Sequence, residues 1–196
     1  MKTGVILAGG KSERFGGVNA LPKPAVQIGE TPMVLHAAGA LVRAGCRHVI
    51  VLTGANHDRL QQALGLSDNE GMLTVGDGAT VPFTLRFSGE ATGTGGRLLY
   101  VSAEEFAPGV LISYTDVFSD FDPATLSDLQ VQKGVTLVML AVNPRQPWGE
   151  LEFDGDRVSG FREKPVLRGT WINGGIFAAG PELQDAIHAP SDSLEQ

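Results

Sequence analysis

The chain has one cysteine, few aromatic and charged residues, and no long apolar run. The single Cys46 excludes an internal disulfide framework and a zinc site built from several cysteines. The apolar run 5–8 is too short for a signal-peptide core or a membrane span. With 22 acidic and 15 basic residues, the net charge of −7 disfavours a general nucleic-acid binder, which usually presents a basic face. We therefore expect a cytoplasmic protein with neither a nucleic-acid nor a membrane partner.

Glycine, by contrast, is abundant. The 26 glycines in 196 residues are nearly twice the usual share of roughly 7%, and they show no collagen period. They predict sharp turns and places where the backbone approaches another group closely. The length suits one domain spanning residues 1–196, and the 42% hydrophobic share is enough for a packed core.

Buried apolar runs alternate with helical patterns along the chain. Strands are predicted over 4–8, 47–53, 83–87, 110–114, 135–142 and 171–179, with a hairpin over 150–163; helices are predicted over 32–44, 57–64, 95–106, 123–132 and 181–187. Thr31 and Asp122 are the predicted N-caps of the first and fourth helices. This order predicts an α/β fold with a Rossmann-like, doubly wound, mixed but mostly parallel sheet. In such a fold, ligands bind beyond the carboxyl ends of the strands.

The first candidate site follows the first strand. Its segment Leu7-Ala8-Gly9-Gly10 allows backbone N–H groups to approach an anion, and Arg14 and Lys23 add two cations. The spacing matches neither the Gly-x-Gly-x-x-Gly fingerprint nor a Walker A motif. A glycine-rich turn with two solvated cations remains the alternative.

A second candidate, Asp116, follows the predicted strand 110–114. A carboxylate at the carboxyl edge of the sheet suits Mg²⁺, which takes one or two carboxylates together with phosphate oxygens. The alternative role for Asp116 is to cap a turn or a helix, a role that Asp120 and Asp122 could have as well. The four histidines have no shared spacing and are interpreted as structural.

Five segments, in order, resemble the signatures of the sugar-1-phosphate nucleotidylyltransferases and are most similar to the glucose-1-phosphate cytidylyltransferase branch. They are Leu7–Gly10 with Arg14 and Pro22-Lys23-Pro24, then Thr94-Gly95-Gly96-Arg97-Leu98, Tyr114-Thr115-Asp116-Val117, Phe161-Arg162-Glu163-Lys164-Pro165, and Ile172-Asn173-Gly174-Gly175-Ile176-Phe177. The resemblance implies the fold of nucleotide-diphospho-sugar transferases. It also implies a Mg²⁺-dependent, in-line transfer from a nucleoside triphosphate, with CTP favoured, to a sugar 1-phosphate, releasing pyrophosphate.

The resemblance further implies a role for each matching residue. Three residues would be catalytic: Arg14 on the β- and γ-phosphates, Lys23 on the α-phosphate, and Asp116 as the Mg²⁺ ligand. The nucleotide would be held by Leu7, Ala8, Gly9, Gly10, Thr94 and Gly95. The sugar phosphate would be held by Gly149, Glu163, Lys164, Asn173 and Gly174. For Thr94–Gly96 a plain helix-start turn is the alternative, and for Asn173-Gly174 a simple turn.

Three departures from the family pattern bear on activity. Ser12-Glu13 stand where the family has Gly-Thr, and Glu13 adds a negative charge near a triphosphate. Thr115 and Val117 replace glycines beside Asp116. The family's second metal carboxylate follows beyond Gln196, so a truncated chain, a substitute carboxylate and lost activity are the alternatives.

Other functions compatible with the sequence are a catalytically weak nucleotide or nucleotide-sugar binder, a transferase for another phosphorylated small molecule, and a shortened scaffold of this fold. A homo-oligomer is also compatible with the sequence.

Overall fold

The computed structural model describes residues 2–10, 21–74, 78 and 80–196. Within these ranges the chain forms a seven-stranded sheet, two two-stranded ribbons and seven helical segments. The strands are β1 (Thr3–Ala8), β2 (Gln27–Ile28), β3 (Thr31–Pro32), β4 (His48–Thr53), β5 (Glu70–Thr74), β6 (Thr80–Phe87), β7 (Val110–Tyr114), β8 (Leu137–Val142), β9 (Glu150–Asp154), β10 (Arg157–Arg162) and β11 (Ile172–Ala179). The helices are α1 (Met33–Arg43), α2 (His57–Ala63), α3 (Ala103–Phe106) and α4 (Ala124–Lys133), with 3₁₀ helices at Lys23–Ala25, Gly96–Tyr100 and Pro181–Ala186.

The central sheet confirms the predicted fold class. Its strand order is β5-β6-β4-β1-β7-β11-β8, and the four strands β6, β4, β1 and β7 are parallel. Strand β5 is antiparallel to β6, and β11 is antiparallel to both β7 and β8. Because β11 runs against β7, the beginning of β11 lies at the same edge as the end of β7. Asn173 and Tyr114, 59 positions apart in the sequence, therefore meet at the carboxyl edge of the parallel strands.

Both faces of the sheet are covered, as a doubly wound fold requires. Along β1, Val5 and Leu7 belong to one apolar cluster, and Ile6 and Ala8 belong to the other. All six residues of β1 are buried. The continuous apolar run that predicted a buried strand thus reflects a strand packed on both sides.

The structure corrects the prediction for one helix and adds three strands, β2, β3 and β5, that were not predicted. The predicted helix 95–106 is interrupted, because Val101 is extended (φ −90°, ψ 128°). Gln184 stabilises the interruption by donating to the carbonyl oxygens of Leu98 (3.0 Å) and Val101 (2.8 Å). The segment that supplies Gln184 forms a 3₁₀ helix within the predicted helix 181–187. Strand β5, whose residues are mostly exposed, was not predicted from the apolar pattern.

Neither predicted N-cap residue occupies the N-cap position. Asp122 accepts a hydrogen bond from the backbone N–H of Ala124 (2.9 Å), but the N-cap of α4 is Pro123. Thr31 instead lies in β3, and α1 begins after Pro32 without a side-chain cap. None of the helices in the described ranges has both the length and the apolar character needed to cross a membrane.

An ion pair between Arg86 and Glu105 fastens α3 to the sheet and predicts a specific loss of stability in acid. Arg86 donates to both carboxylate oxygens of Glu105, at 2.7 and 2.9 Å, and Ser102 N–H donates to the same carboxylate. These bonds, led by that of Arg86, lower the pKa of Glu105 to about 2. A carboxyl group whose pKa is lower in the folded state than in the unfolded state stabilises the fold at pH values above its unfolded pKa. This stabilisation is lost as the pH falls towards 2.

We expect protonation of Glu105 to lower the free energy of unfolding by on the order of 2 kcal/mol between pH 5 and pH 3. Urea titrations of wild type and Glu105→Gln across this range measure the difference between the two proteins, which removes the contribution of the other carboxylates. His48, 3.9 Å from Glu105, has a pKa lowered by burial, so the stability that it loses on protonation begins to fall at a higher pH than that of Glu105. Parallel pH profiles for the two proteins below pH 5 would contradict the expectation.

Candidate active site

Lys23 and Asp116 meet at the carboxyl edge of the sheet. Lys23 begins a 3₁₀ helix between two prolines, and its neighbours Pro24 and Ala25 are buried, so its backbone is firmly held. Asp116 lies two residues beyond β7. The Lys23 ammonium donates directly to the Asp116 carboxylate. With side chains 34% and 44% exposed, the pair remains accessible to a ligand.

Arg14, the third residue of the predicted catalytic group, lies outside the described residues, as does Glu13. Their assigned roles stay predictions. The structure therefore shows a contact between Lys23 and Asp116, the two residues of the predicted group that it describes.

The glycine-rich segment offers backbone rather than side chains to a ligand. The side chains of Leu7 and Ala8 are buried in the two apolar clusters. A Cβ at Gly9 would overlap the guanidinium of Arg97, so the Arg97 side chain occupies the space that a side chain at this position would need. Gly10, in contrast, is exposed, and a Cβ there would meet no described atom within 4 Å. A ligand approaching this segment would thus meet Gly10 first.

The turn that contains Thr94 and Gly95 packs against the end of the chain. A Cβ at Gly95 would lie 3.1 Å from the carbonyl oxygen of Asp192. Thr94 donates to Glu195 (2.7 Å) and accepts from the N–H of Leu194 (2.9 Å). The absence of a side chain at Gly95 therefore allows the turn to pack closely on residues 192–193. Base contacts by Thr94 and Gly95 stay a prediction, and at Gly95 they would have to come from the backbone.

A hydrogen-bonded group of Tyr114, Asn173 and Glu195 links three distant segments. The Tyr114 hydroxyl donates to the Glu195 carboxylate, and the Asn173 amide donates to the Tyr114 oxygen at 3.5 Å. Burial, followed by the neighbouring Glu195, raises the pKa of Tyr114, so the phenol stays protonated and donates. Burial also raises the pKa of Glu195, but bonds from Ser193, Tyr114 and Thr94 outweigh it and lower the pKa overall. Sequence reasoning missed Glu195, because an isolated acid near a chain end carries no local signal.

A bulge in β11 sets the position of Asn173. Its side-chain oxygen accepts from the N–H of Gly175 (2.7 Å), and Gly175 has a φ of +74°, a conformation that favours glycine. The pairing of β11 with β8 shifts register between Asn173 and Phe177. A Cβ at Gly174 would lie 2.8 Å from the Val142 side chain, so this position faces β8. A sugar contact at Gly174 stays a prediction and would again involve its backbone.

The remaining predicted sugar-phosphate residues lie beside the β9–β10 hairpin. A Cβ at Gly149 would overlap the Phe161 ring and lie 3.3 Å from a carboxylate oxygen of Glu163. The ammonium of Lys164 is 3.7 Å from Glu163, and both side chains are more than half exposed. Lys164 has a φ of +43° and is the one non-glycine residue in the described ranges with a positive φ. This conformation costs a non-glycine residue about 1 kcal/mol, and such strain is concentrated at functional sites.

The structure thus brings the predicted residues together in three groups. Lys23 contacts Asp116, Thr94 and Asn173 are joined through Tyr114 and Glu195, and Gly149 lies with Glu163 and Lys164. Where the structure describes the chain, no three His, Cys, Asp or Glu residues form a group that could hold a metal ion. A single carboxylate with a nearby cation suits a metal that arrives with phosphate oxygens as its other ligands.

Nearly the whole chain is similar in sequence to known proteins. A family model described as nucleotidyl transferase matches residues 3–195. A glucose-1-phosphate cytidylyltransferase from Salmonella typhi is 29% identical over 98% of this chain and 80% of its own length. A mannose-1-phosphate guanyltransferase from Debaryomyces hansenii is also 29% identical, over 98% of this chain and 54% of its own length.

Solved structures share the fold at lower identity. The crystal structure of HddC from Yersinia pseudotuberculosis in complex with GMP-PN has a TM-score of 0.70 and 22% identity, covering 100% of this chain and 84% of its own. A UDP-glucose pyrophosphorylase in complex with UDP-glucose has a TM-score of 0.61 and 14% identity, covering 94% of this chain and 78% of its own. At these identities the likeness establishes the architecture of the chain.

Proposed function

The chain belongs to the nucleotidyl transferase family, and we propose that it transfers a nucleotidyl group from a nucleoside triphosphate to a sugar 1-phosphate. The observation that carries this proposal is the contact of Lys23 with Asp116 at the carboxyl edge of the sheet. The curated relatives named above carry out reactions of this class on glucose 1-phosphate and mannose 1-phosphate. Their names support a sugar 1-phosphate as the acceptor.

In the proposed reaction, a phosphate oxygen of the sugar 1-phosphate forms a bond to the α-phosphorus of the triphosphate. The bond from that phosphorus to the oxygen bridging the α- and β-phosphates breaks, and pyrophosphate leaves with the electron pair. The attacking oxygen is anionic at neutral pH, so no general base is required. Catalysis then depends on positioning and on neutralising the charge at the α-phosphate, a task that suits the Lys23 ammonium.

Asp116 fits a magnesium ion that enters with the nucleotide. Its carboxylate is almost half exposed and already faces the positive charge of Lys23. Mg²⁺ commonly binds one or two carboxylates and completes its shell with phosphate oxygens and water. When bound, the ion would neutralise phosphate charge. Asp116 would hold it, and the Lys23 ammonium would be released to the substrate phosphates.

Asn173 and the hairpin residues are proposed to bind the sugar phosphate. Asn173 keeps its amide N–H₂ towards the site, because its oxygen is engaged by Gly175. The strained backbone of Lys164 places an ammonium beside the Glu163 carboxylate, so one charge can meet a phosphate and the other sugar hydroxyls. CTP is the proposed nucleotide on the likeness of Thr94–Leu98 to the cytidylyltransferase branch, and the guanyltransferase relative makes GTP the first alternative.

The test is pyrophosphate release with each of the four nucleoside triphosphates, Mg²⁺, and glucose 1-phosphate or mannose 1-phosphate in turn. We expect one pairing to exceed the others by at least about tenfold, the discrimination typical of a site that hydrogen-bonds its substrate. Panels of other phosphorylated sugars and small alcohols identify a different acceptor. Nucleotide-sugar binding without turnover by any pairing would favour a binding protein and overturn the proposal.

A further inference from the structure

Arg97 is a buried cation beneath the glycine-rich segment. Its side chain is 5% exposed, and within the described ranges no other lysine, arginine, aspartate or glutamate is as deeply buried. It also has no acidic side chain within ion-pair distance among those residues. A buried charge is costly unless its hydrogen bonds are satisfied. The position of Arg97 therefore calls for a compensating set of acceptors.

Those acceptors come from three loops at the carboxyl ends of parallel strands. Nη1 donates to the carbonyl oxygens of Thr53 (2.9 Å) and Gly89 (3.0 Å) and to the hydroxyl of Ser88 (2.6 Å). Nη2 donates to the carbonyl oxygen of Gly9 (3.3 Å). The planar guanidinium thus joins the carboxyl ends of β1, β4 and β6, a geometry that a lysine ammonium cannot reproduce.

Three glycines make room for this arrangement. A Cβ at Gly9 would overlap the Arg97 guanidinium. A Cβ at Gly54 would lie 2.5 Å from the carbonyl oxygen of Gly9 and 3.2 Å from that of Gly89. Gly89 itself has a φ of +89°. The backbones that end the three strands are therefore packed directly against each other and against the guanidinium.

We propose that Arg97 is a positioning residue for the nucleotide, because it fixes the Leu7–Gly10 backbone relative to the Thr94–Gly95 turn. Arg97 lies in the 3₁₀ helix that directly follows that turn and bonds to Gly9, so it connects the two segments assigned to the nucleotide. The nucleotide part of this inference rests on the proposed function. The packing of Gly9 against Arg97 stands without it.

The main test measures binding of CTP, and separately GTP, in the presence of Mg²⁺ to wild type and Arg97→Lys, under conditions in which both are folded. We expect the Kd of the better nucleotide to rise about 10- to 100-fold, the size of effect that losing a hydrogen bond to a charged group commonly has. Arg86→Lys is the control, because Arg86 is a partly buried arginine that bonds to Glu105 and Tyr100 and makes no contact with the Leu7–Gly10 segment in the hydrogen bonds described for it. It should lose stability while its Kd stays within about threefold of wild type.

Two further variants keep the test decisive if Arg97→Lys does not fold. Ser88→Ala removes one acceptor and should raise the Kd about fivefold. Gly9→Ala should lower the urea midpoint strongly in wild type but only slightly in an Arg97→Leu background, where the guanidinium is gone. Two results would overturn this inference and leave the proposed function intact. The first is a wild type that binds nucleotide together with an unchanged Kd in folded Arg97→Lys or in Ser88→Ala. The second is that the urea-midpoint shifts of Gly9→Ala and Arg97→Leu are additive. A wild type that binds neither nucleotide would overturn it together with the proposed function.

Discussion

Replacing Lys23 with alanine is expected to lower kcat/KM for pyrophosphate release by about 100- to 1,000-fold, the usual cost of removing one charge-stabilising donor. The physical reason is that negative charge develops on the α-phosphate during displacement, and the Lys23 ammonium is held at this edge by the buried Pro24 and Ala25. No other donor on the same 3₁₀ helix could replace it, since the remaining residues are proline and alanine.

The same substitution should leave the fold almost unchanged. The Lys23–Asp116 pair is 34% and 44% exposed, and ion pairs at this exposure contribute less than about 1 kcal/mol. Urea titration separates this small effect from the large kinetic one. Lys133→Ala, at an exposed position on α4, is the control and should retain wild-type rates. A Lys23→Ala variant with a rate within tenfold of wild type would remove Lys23 from the catalytic group.

Asp116→Asn is expected to reduce turnover by about 1,000-fold at any Mg²⁺ concentration reached in a titration, because metal charge stabilisation contributes several kcal/mol. Asparagine keeps the size and one oxygen of the side chain but loses its charge. The second readout is nucleotide affinity, which should rise with Mg²⁺ concentration in wild type and become nearly independent of it in the variant.

Asp120→Asn is the matched control for this prediction. Asp120 is exposed and follows Asp116 in the same loop. It should preserve both the rate and the Mg²⁺ dependence of nucleotide affinity. Equal losses in the two variants would assign the effect to the general charge of the loop and would contradict a specific metal ligand at Asp116.

The sequence predicted the order of the main elements well, because buried parallel strands produce continuous apolar runs. All six residues of β1 are buried, and the runs at β4 and β7 are nearly as apolar. The same reasoning missed β5, whose exposed residues carry no such run. It also extended a helix across Val101, because the bonds from Gln184 that stabilise the break come from a residue more than 80 positions away.

For the candidate site, residue type and position along the chain pointed to Lys23 and Asp116, whereas Asn173 was selected through the resemblance to the nucleotidylyltransferases. Residue type and position were not enough to explain the glycines. Gly9 makes room for Arg97, Gly95 for the backbone of Asp192, and Gly174 for β8. In each case the group that excludes a side chain is distant in the sequence.

The sequence by itself determined the fold class, through its alternating apolar and helical patterns, and the residue types available for phosphate chemistry. Tertiary structure alone decided which of them meet. The antiparallel direction of β11 brings Asn173 to the end of β7, and the chain end brings Glu195 to Tyr114 and Thr94. It also decided that Arg97 is an interior cation shared by three strand ends. These contacts depend on strand direction and on backbone packing between distant segments, which local patterns in a sequence do not encode.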